Sequence, residues 1–503
     1  MPGGEIELTY VGAQDLYLIN NPQISFFKSV YKRYTNFSQE IKDLDDDSIG
    51  NSLSSFENPI ILKYKIPRNG DCIKGLYLEF NLPNIYSSSE KQFQWIQEFG
   101  NFIIREIRLV GGDSRVYHRL TGEYLYLYNN NYYSNSKKQV LDSLIGNTID
   151  MYNPALGQNN NGIYPRSSLP SKSNSQLQVP SINGRLITIP IPFWFNRNLG
   201  SVLPLIALQS MEFRVEVVLR PLKEWYTVID TNPLSNTFRS RIRPVNDNDK
   251  LKNFTDSASD DILNNVVVRA RGEFIFLDNL ERKQLAQNQT RFLVPQVQYY
   301  TNTVSIPTGG NINIELKDIN HPVKKLWFML RRTDNELVNN WNNFNIFDSN
   351  QNPLQHNFIS DTHHNYNYLN INNEDIKYLT NPYGDIIEQL QLIFDGEPRF
   401  DILPINYFKN HTILSTPQSN KINGMYCFAF DLKDDGGYQP SGSCNFSRIS
   451  RKQLRLQLKN PIGLQKTTGN TTQSIGSYTV IVMAESINFF RIIGGLAGLE
   501  YEN

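Results

Sequence analysis

Cysteine is scarce in this chain, with three in 503 residues, and Cys72, Cys427 and Cys444 share no short spacing. That excludes a disulfide framework and a thiolate zinc site, and it fits a reducing compartment. Net charge is lacking as well. Lys+Arg and Asp+Glu both number 49, so there is no strong positive field of the kind that packaging nucleic acid needs, and no direct genome contact is expected. Long apolar runs are missing too. The best, Ile487 to Leu499, is broken by Asn488 and Arg491 and is shorter than the roughly 20 apolar residues of a membrane-spanning helix. The opening residues Met1 to Glu7 carry neither a basic n-region nor an apolar h-region, from which folding in the cytosol is expected. On that route the six Asn-x-Ser/Thr sequons, at Asn36, Asn253, Asn288, Asn410, Asn445 and Asn470, read as chance products of an Asn- and Ser-rich composition.

What is abundant points to strands. The chain holds 27 Tyr and 28 Phe, with 39% hydrophobic and 19% charged residues, a profile that favours β structure joined by polar turns. Its length exceeds what one hydrophobic core serves, so two domains of roughly 200 residues each are expected. Period-two alternation is clear in Met211-Glu212-Phe213-Arg214-Val215-Glu216-Val217 and in Leu454-Arg455-Leu456-Gln457-Leu458, where one face can enter a core while the other meets water. Leu76 to Phe80 and Ile312 to Leu316 are further strand candidates, and Leu326 to Leu330, apolar on both faces, predicts a central strand. Many short strands with Gly, Pro and Asn turns imply a sandwich or barrel.

Near the start, Asn21-Pro22 followed by Gln23 to Tyr34 predicts a helix with Asn21 as N-cap and Pro22 at its first position. Ile24, Phe27, Tyr31 and Tyr34 then share one face, which either docks on a partner or membrane surface or packs on its own domain. Three long polar stretches, 129–183, 230–265 and 333–385, read as exposed elaborations rather than core. Phe276 to Ala286 reads as a strand end running into a short charged helix and marks a domain boundary.

Chemistry-bearing clusters are few. Asp361-Thr362-His363-His364 with His356 would suggest a metal, but adjacent histidines on a strand point to opposite faces and the segment is a polar loop, so no metal ligand is assigned. The acidic runs at Asp45 to Asp47, Asp260-Asp261 and Asp434-Asp435 lie in polar loops with nothing to raise a carboxyl pKa. Gly111-Gly112-Asp113-Ser114 lacks the Lys-Ser/Thr of a phosphate loop and reads as a hairpin turn. No catalytic residue and no cofactor is assigned. Phe193-Trp194-Phe195 offers either an interface anchor or ordinary core packing, and Arg197 either an intersubunit pair or a loop cap. In Gln439-Pro440-Ser441-Gly442, Pro fixes φ and Gly permits positive φ, so a tight turn can aim Asn445 and Ser447 at backbone groups near the next strand.

Seven blocks carry a resemblance. Gly12-Ala13-Gln14-Asp15-Leu16-Tyr17-Leu18 through Ser38, Ile66-Pro67-Arg68-Asn69-Gly70-Asp71, Phe193 to Gly200, Leu203 to Gln209, Leu277-Asp278 with Glu281-Arg282, Gln439 to Ile449, and the tail from Asn488 resemble, in order, the major capsid proteins of nucleocytoplasmic large DNA viruses. Phe489-Phe490 departs from the Asn- and Leu-rich string more usual there. The resemblance implies an all-β chain of two consecutive eight-stranded jelly-roll β-sandwiches, a double jelly roll, with an N-terminal arm and helix (1–35), a first jelly roll (36–288), a second with the C-terminal tail (289–503), and long surface loops. It further implies a homotrimer forming pseudo-hexagonal capsomers of an icosahedral shell. Neighbouring capsomers, minor capsid and penton proteins, and an internal membrane surface near the arm are the implied partners. The place of action is the virion, with assembly in the host cytoplasm. Phe193, Trp194, Arg197, Gln439, Pro440, Asn445 and Arg448 become motif residues of structural or interface role. A carbohydrate-binding or glycoside-active jelly-roll protein is the alternative, since the same sandwich hosts lectins and hydrolases.

Overall fold

A computed structural model describes the chain apart from residues 1, 48–55, 88–90, 158–159, 161, 168–178, 232–240, 245–246, 256–267, 306–309, 334–335, 337–338, 345–384, 412–423, 434–438, 459–464, 469–470, 475–476 and 502–503. The first lobe opposes antiparallel sheets. Phe37–Asp43, Val268–Leu277, Cys72–Leu82 and Arg185–Pro190 form one, extended by a separate set of Arg241–Ile242, Tyr226–Asp230 and Lys91–Trp95. The facing sheet runs Asp45–Asp46, Ile60–Lys65, Phe213–Leu219, Ile104–Gly111 and Val116–Thr121. Alternation explains why they meet: Phe213, Val215, Val217 and Leu219 are buried while Arg214, Glu216 and Val218 stay half-buried, and the inward set joins Leu62, Leu78, Phe80, Phe93 and Ile107 in one core. Asp113-Ser114 turns the hairpin between Ile104–Gly111 and Val116–Thr121, with Ser114 at φ 65° and its N–H on the Gly111 carbonyl at 2.9 Å.

The second lobe repeats the plan. Thr290–Ser305, Ser477–Ile493, Pro322–Arg332 and Met425–Ala429 form one sheet, with Cys444–Asn445 and Leu496–Leu499 at its margins. Asn311–Glu315, Lys452–Leu458, Ile387–Phe394, Glu397–Pro398 and Leu403–Pro404 form the other. Short edge segments carry each lobe beyond eight strands among the described residues. The central strand expected at Leu326 to Leu330 is found: it lies between Ser477–Ile493 and Met425–Ala429, and both its faces are buried. Leu326, Phe328, Leu330, Val480 and Val482 enter the second core, whereas Trp327, Met329, Ile481 and Met483 enter the first. One sheet therefore serves two cores, and the lobes share a continuous apolar layer.

Two expectations are corrected. Residues 22–34 form no helix; short helical turns lie instead at Gly3–Glu7 and Leu16–Ile19. Asn21 sits at φ 52°, in the left-handed region and not in the extended conformation of an N-cap. No tertiary contact supports a helical face either, because Ile24, Phe27, Tyr31 and Tyr34 are 71%, 100%, 84% and 87% exposed, and short helices in water need such support. The stretch 129–183 is not simply polar loop. Gly122–Asn131, Asn135–Leu144 and Ile149–Tyr152 are helices, and Leu141, Ile145, Met151 and Tyr164 are buried. Asn279–Gln287 is the short helix expected after the strand ending at Leu277.

Candidate functional site

Two features of the described residues stand out: the joint that fixes one lobe on the other and the surfaces left uncovered. Val116–Thr121 is an edge strand of the first lobe and Thr290–Ser305 an edge strand of the second. Their unpaired backbone groups meet side chains across the joint. Gln296 Nε2 donates to the Tyr117 carbonyl at 3.0 Å, the Tyr299 hydroxyl donates to the Arg119 carbonyl at 3.1 Å and accepts from Thr121 N–H at 3.2 Å. An edge covered in this way is closed to stray strand pairing. Tyr117 adds a hydrogen bond to the Ala497 carbonyl at 2.8 Å, which holds the C-terminal tail.

Beside that strand, the helix Gly122–Asn131 begins at an N-cap, Thr121, whose hydroxyl accepts from Tyr124 N–H. Helical spacing then places Tyr124, Tyr128 and Tyr132 on one side. Tyr124 and Tyr132 donate to the two oxygens of Glu485 in the second lobe, at 2.9 and 2.6 Å. The Arg197 guanidinium lies 4.6 Å from the centre of the Tyr128 ring and 5.4 Å from that of Tyr124, and its Nε donates to the Pro192 carbonyl at 2.8 Å. Within the chain, then, Arg197 caps the loop at Pro192, as one of its two readings had it, and is held as a cation on aromatic faces at the joint. Phe193, Trp194 and Phe195 are 0%, 1% and 0% exposed and pack in the core, where Trp194 meets Phe490 of the second lobe at 5.3 Å between ring centres.

A charged network occupies the other end of the joint. Glu123 receives Arg331 from the second lobe at 3.0 Å and Arg220 from the first at 3.3 Å, with all three side chains nearly buried. Burial alone would raise the Glu123 carboxyl, but Arg331 and Arg220 outweigh it and hold it below its ordinary value. Trp341 lies over Arg220 at 3.8 Å and near Arg331 at 5.2 Å, and Asn339 Nδ2 donates to the carbonyls of Lys223 and Tyr226 at 2.7 and 2.8 Å. The composition of these segments gave no sign of this role. The usable signal was the i, i+4, i+8 tyrosine spacing from Tyr124, masked by the polar residues that follow it.

The remaining motif residues are placed elsewhere. Gln439, Pro440, Asn445 and Arg448 are exposed. Gly442 adopts φ 149°, and a Cβ there would sit 2.7 Å from the Phe430 carbonyl oxygen, so the turn requires glycine. Asn445 Oδ1 accepts from Ser447 N–H at 3.1 Å, and Ser447 Oγ accepts from His321 N–H at 2.8 Å, just before the strand Pro322–Arg332. Among the described residues the arm gathers many uncovered apolar side chains: Leu8, Tyr17, Leu18, Phe26, Phe27 and Val30 are each at least 79% exposed. The cluster of His356, Asp361, His363 and His364 and the runs Asp260-Asp261 and Asp434-Asp435 lie outside the described residues. Among the described residues no three His, Cys, Asp or Glu side chains converge as a metal site.

Two family models match nearly the whole chain: "Major capsid protein N-terminus" over residues 25–278 and "Large eukaryotic DNA virus major capsid protein" over 281–498. The major capsid proteins of Phaeocystis pouchetii virus and of Paramecium bursaria Chlorella virus 1 are each 27% identical, with all of this chain and all of theirs covered. In shape, the chain is similar to a subunit of the PBCV-1 virus capsid (TM-score 0.64, 20% identity, 95% of this chain and 100% of that one) and to the Faustovirus major capsid protein (TM-score 0.62, 10% identity, 96% and 94%). Its paired sandwiches are a double jelly roll, its role is that of a structural capsid subunit in the virion, and the chain belongs to the major capsid protein family of large eukaryotic DNA viruses.

Proposed function

We propose that the chain forms a homotrimer whose six similar lobes give a pseudo-hexagonal capsomer, the repeating tile of an icosahedral shell. The observation that carries this is the shared sheet: Trp327, Met329, Ile481 and Met483 face the first core while their strand neighbours face the second, so two lobes act as one rigid edge. A threefold ring of such pairs has a nearly hexagonal outline and tiles flat facets through repeated contacts. In this reading residues 1–35 are the arm, 36–288 the first jelly roll and 289–503 the second. The arm lies on the inner side, against minor capsid proteins or an internal membrane surface, and penton proteins close the vertices. Support for that placement is chemical: residues 16–38 hold Lys28, Lys32 and Arg33 but no Asp or Glu, among exposed aromatics that suit an apolar, acidic interface. Neutral net charge leaves the genome to other proteins. Assembly takes place in the host cytoplasm, and the work is associative, with no bond made or broken.

Light scattering on the purified full chain tests the trimer. A species of about three times the 58.1 kDa chain mass is expected from threefold symmetry; a strict monomer at micromolar concentration contradicts it, and one that binds glycans points to the carbohydrate-binding alternative.

A further inference from the structure

His118 sits at the middle of the segment that the second lobe grips. Gln296 holds the carbonyl of Tyr117 before it and Tyr299 that of Arg119 after it. The imidazole is 2% exposed, stacks on Trp194 with ring centres 5.4 Å apart and planes at 24°, and touches Phe193 at the same distance. Neither ring nitrogen has a hydrogen-bond partner. Trp194 in turn packs on Phe490 of the second lobe, so the ring lies one side chain from the joint on two sides.

The charged groups around this slot offer a proton no welcome. Arg197, on the short helix that carries Trp194, is the cation acting on His118. Glu485, the acid across the joint that acts on Arg197, is taken up by Tyr124 and Tyr132. On the adjoining strand Glu106 is held by Arg108 and Arg119, and Asp318, in the turn before Pro322–Arg332, lines an interlobe cleft together with His118, Arg108 and Arg119. Burial first, then Arg197, push the imidazole well below its ordinary value. An imidazolium in this slot would be a desolvated cation beside another cation, without an acceptor for either N–H.

We propose that His118 is an acid-operated latch on the joint between the two lobes: proton uptake drives the ring out of its aromatic slot and frees Tyr117 to Arg119 from Gln296 and Tyr299. The sign follows from linkage. The open state binds the proton with an ordinary pKa near 6.5 and the closed state does not, so opening is favoured as pH falls below that value, by up to roughly tenfold per pH unit. Above it the latch is shut.

Hydrogen exchange of the full chain, read at residues 116–121 and 290–305 between pH 7.5 and 5.0 and corrected for intrinsic rates, tests this. The wild type is expected to lose at least tenfold protection there relative to the core strand Phe213–Leu219, whereas His118→Phe, which keeps the stack and cannot titrate, holds its protection. An equal loss in both proteins, or no loss in the wild type, overturns the latch. Should His118→Phe fail to fold, the histidine ring resonances of the wild type decide: a His118 that titrates at or above 6.5 while the joint stays protected refutes the proposal, and one that titrates only as the joint opens upholds it. Because exchange is read within one chain, failure here leaves the trimer reading untouched, and a monomeric protein leaves the latch testable.

Discussion

Glu98 and His118 show how single buried groups set the pH response of the first lobe with opposite signs. Burial is the main cause that pushes the Glu98 carboxyl up to about 7, against the opposing pull of Lys138 and Asn101. A raised acid favours the folded state while protonated, so its contribution is present below the unfolded value near 4.5 and is lost as pH rises through 7. Glu98→Gln should therefore flatten the stability profile between pH 5 and 8, removing a decline on the order of 3 kcal/mol; urea melts across that range check it, and an unchanged slope contradicts it. His118, depressed, works in the other direction, and His118→Phe should steepen the net decline. At the charged end of the joint, Arg331→Ala leaves Glu123 with a weakened partner set in a buried site, and a loss of about 3–5 kcal/mol is expected. Conversion of Arg331 to Lys should recover only part of it, since Glu123 and Glu336 are both reached by one guanidinium, a fork that an ammonium cannot reproduce.

Among elements, the arm and the aromatic turn respond in opposite ways to deletion. Residues 2–34 bury nothing, so their removal should leave the melting temperature of the two lobes within a few degrees while shells or sheets no longer form in the presence of capsid partners. Scanning calorimetry and electron microscopy read the two outcomes, and a large fall in melting temperature would contradict the exposed placement. Trp194→Ala instead opens a cavity against Phe195, His118 and Phe490, at a cost of about 3–5 kcal/mol. The strands that alternate strictly, Phe213–Leu219 and Lys452–Leu458, were legible because period two needs only local information. The helix at 22–34 was misread for a related reason: its apolar spacing is helical, but a face with no core to meet cannot hold a short helix. The helices beyond Tyr132 escaped notice because Asn, Ser and Lys dilute their apolar face, of which Leu141 and Met151 are buried, with Ile145 just past the first of them.

On the scale of the whole molecule, the sheet that serves both cores makes the lobes one cooperative body. A single calorimetric transition is expected, with the calorimetric and van't Hoff enthalpies in agreement; two resolved transitions would show the lobes to be independent. A fragment of residues 289–503 alone would expose Trp327, Met329, Ile481 and Met483 to water and should associate or aggregate, as large bare apolar patches do.

The order of residues by itself determined the strand-rich class, the absence of a cysteine framework, the doubled plan and the family, because alternation, turn chemistry and motif blocks are written locally along the chain. Only the tertiary structure decided that Arg197 lies on Tyr124 and Tyr128, that Phe193 to Phe195 are core, and that Glu485 and His118 belong to a joint. Those roles come from contacts between residues hundreds of positions apart, such as Tyr124 with Glu485 and Glu123 with Arg331. Burial changes what a charge or a ring does there, and no local pattern reports which distant side chain will close the site.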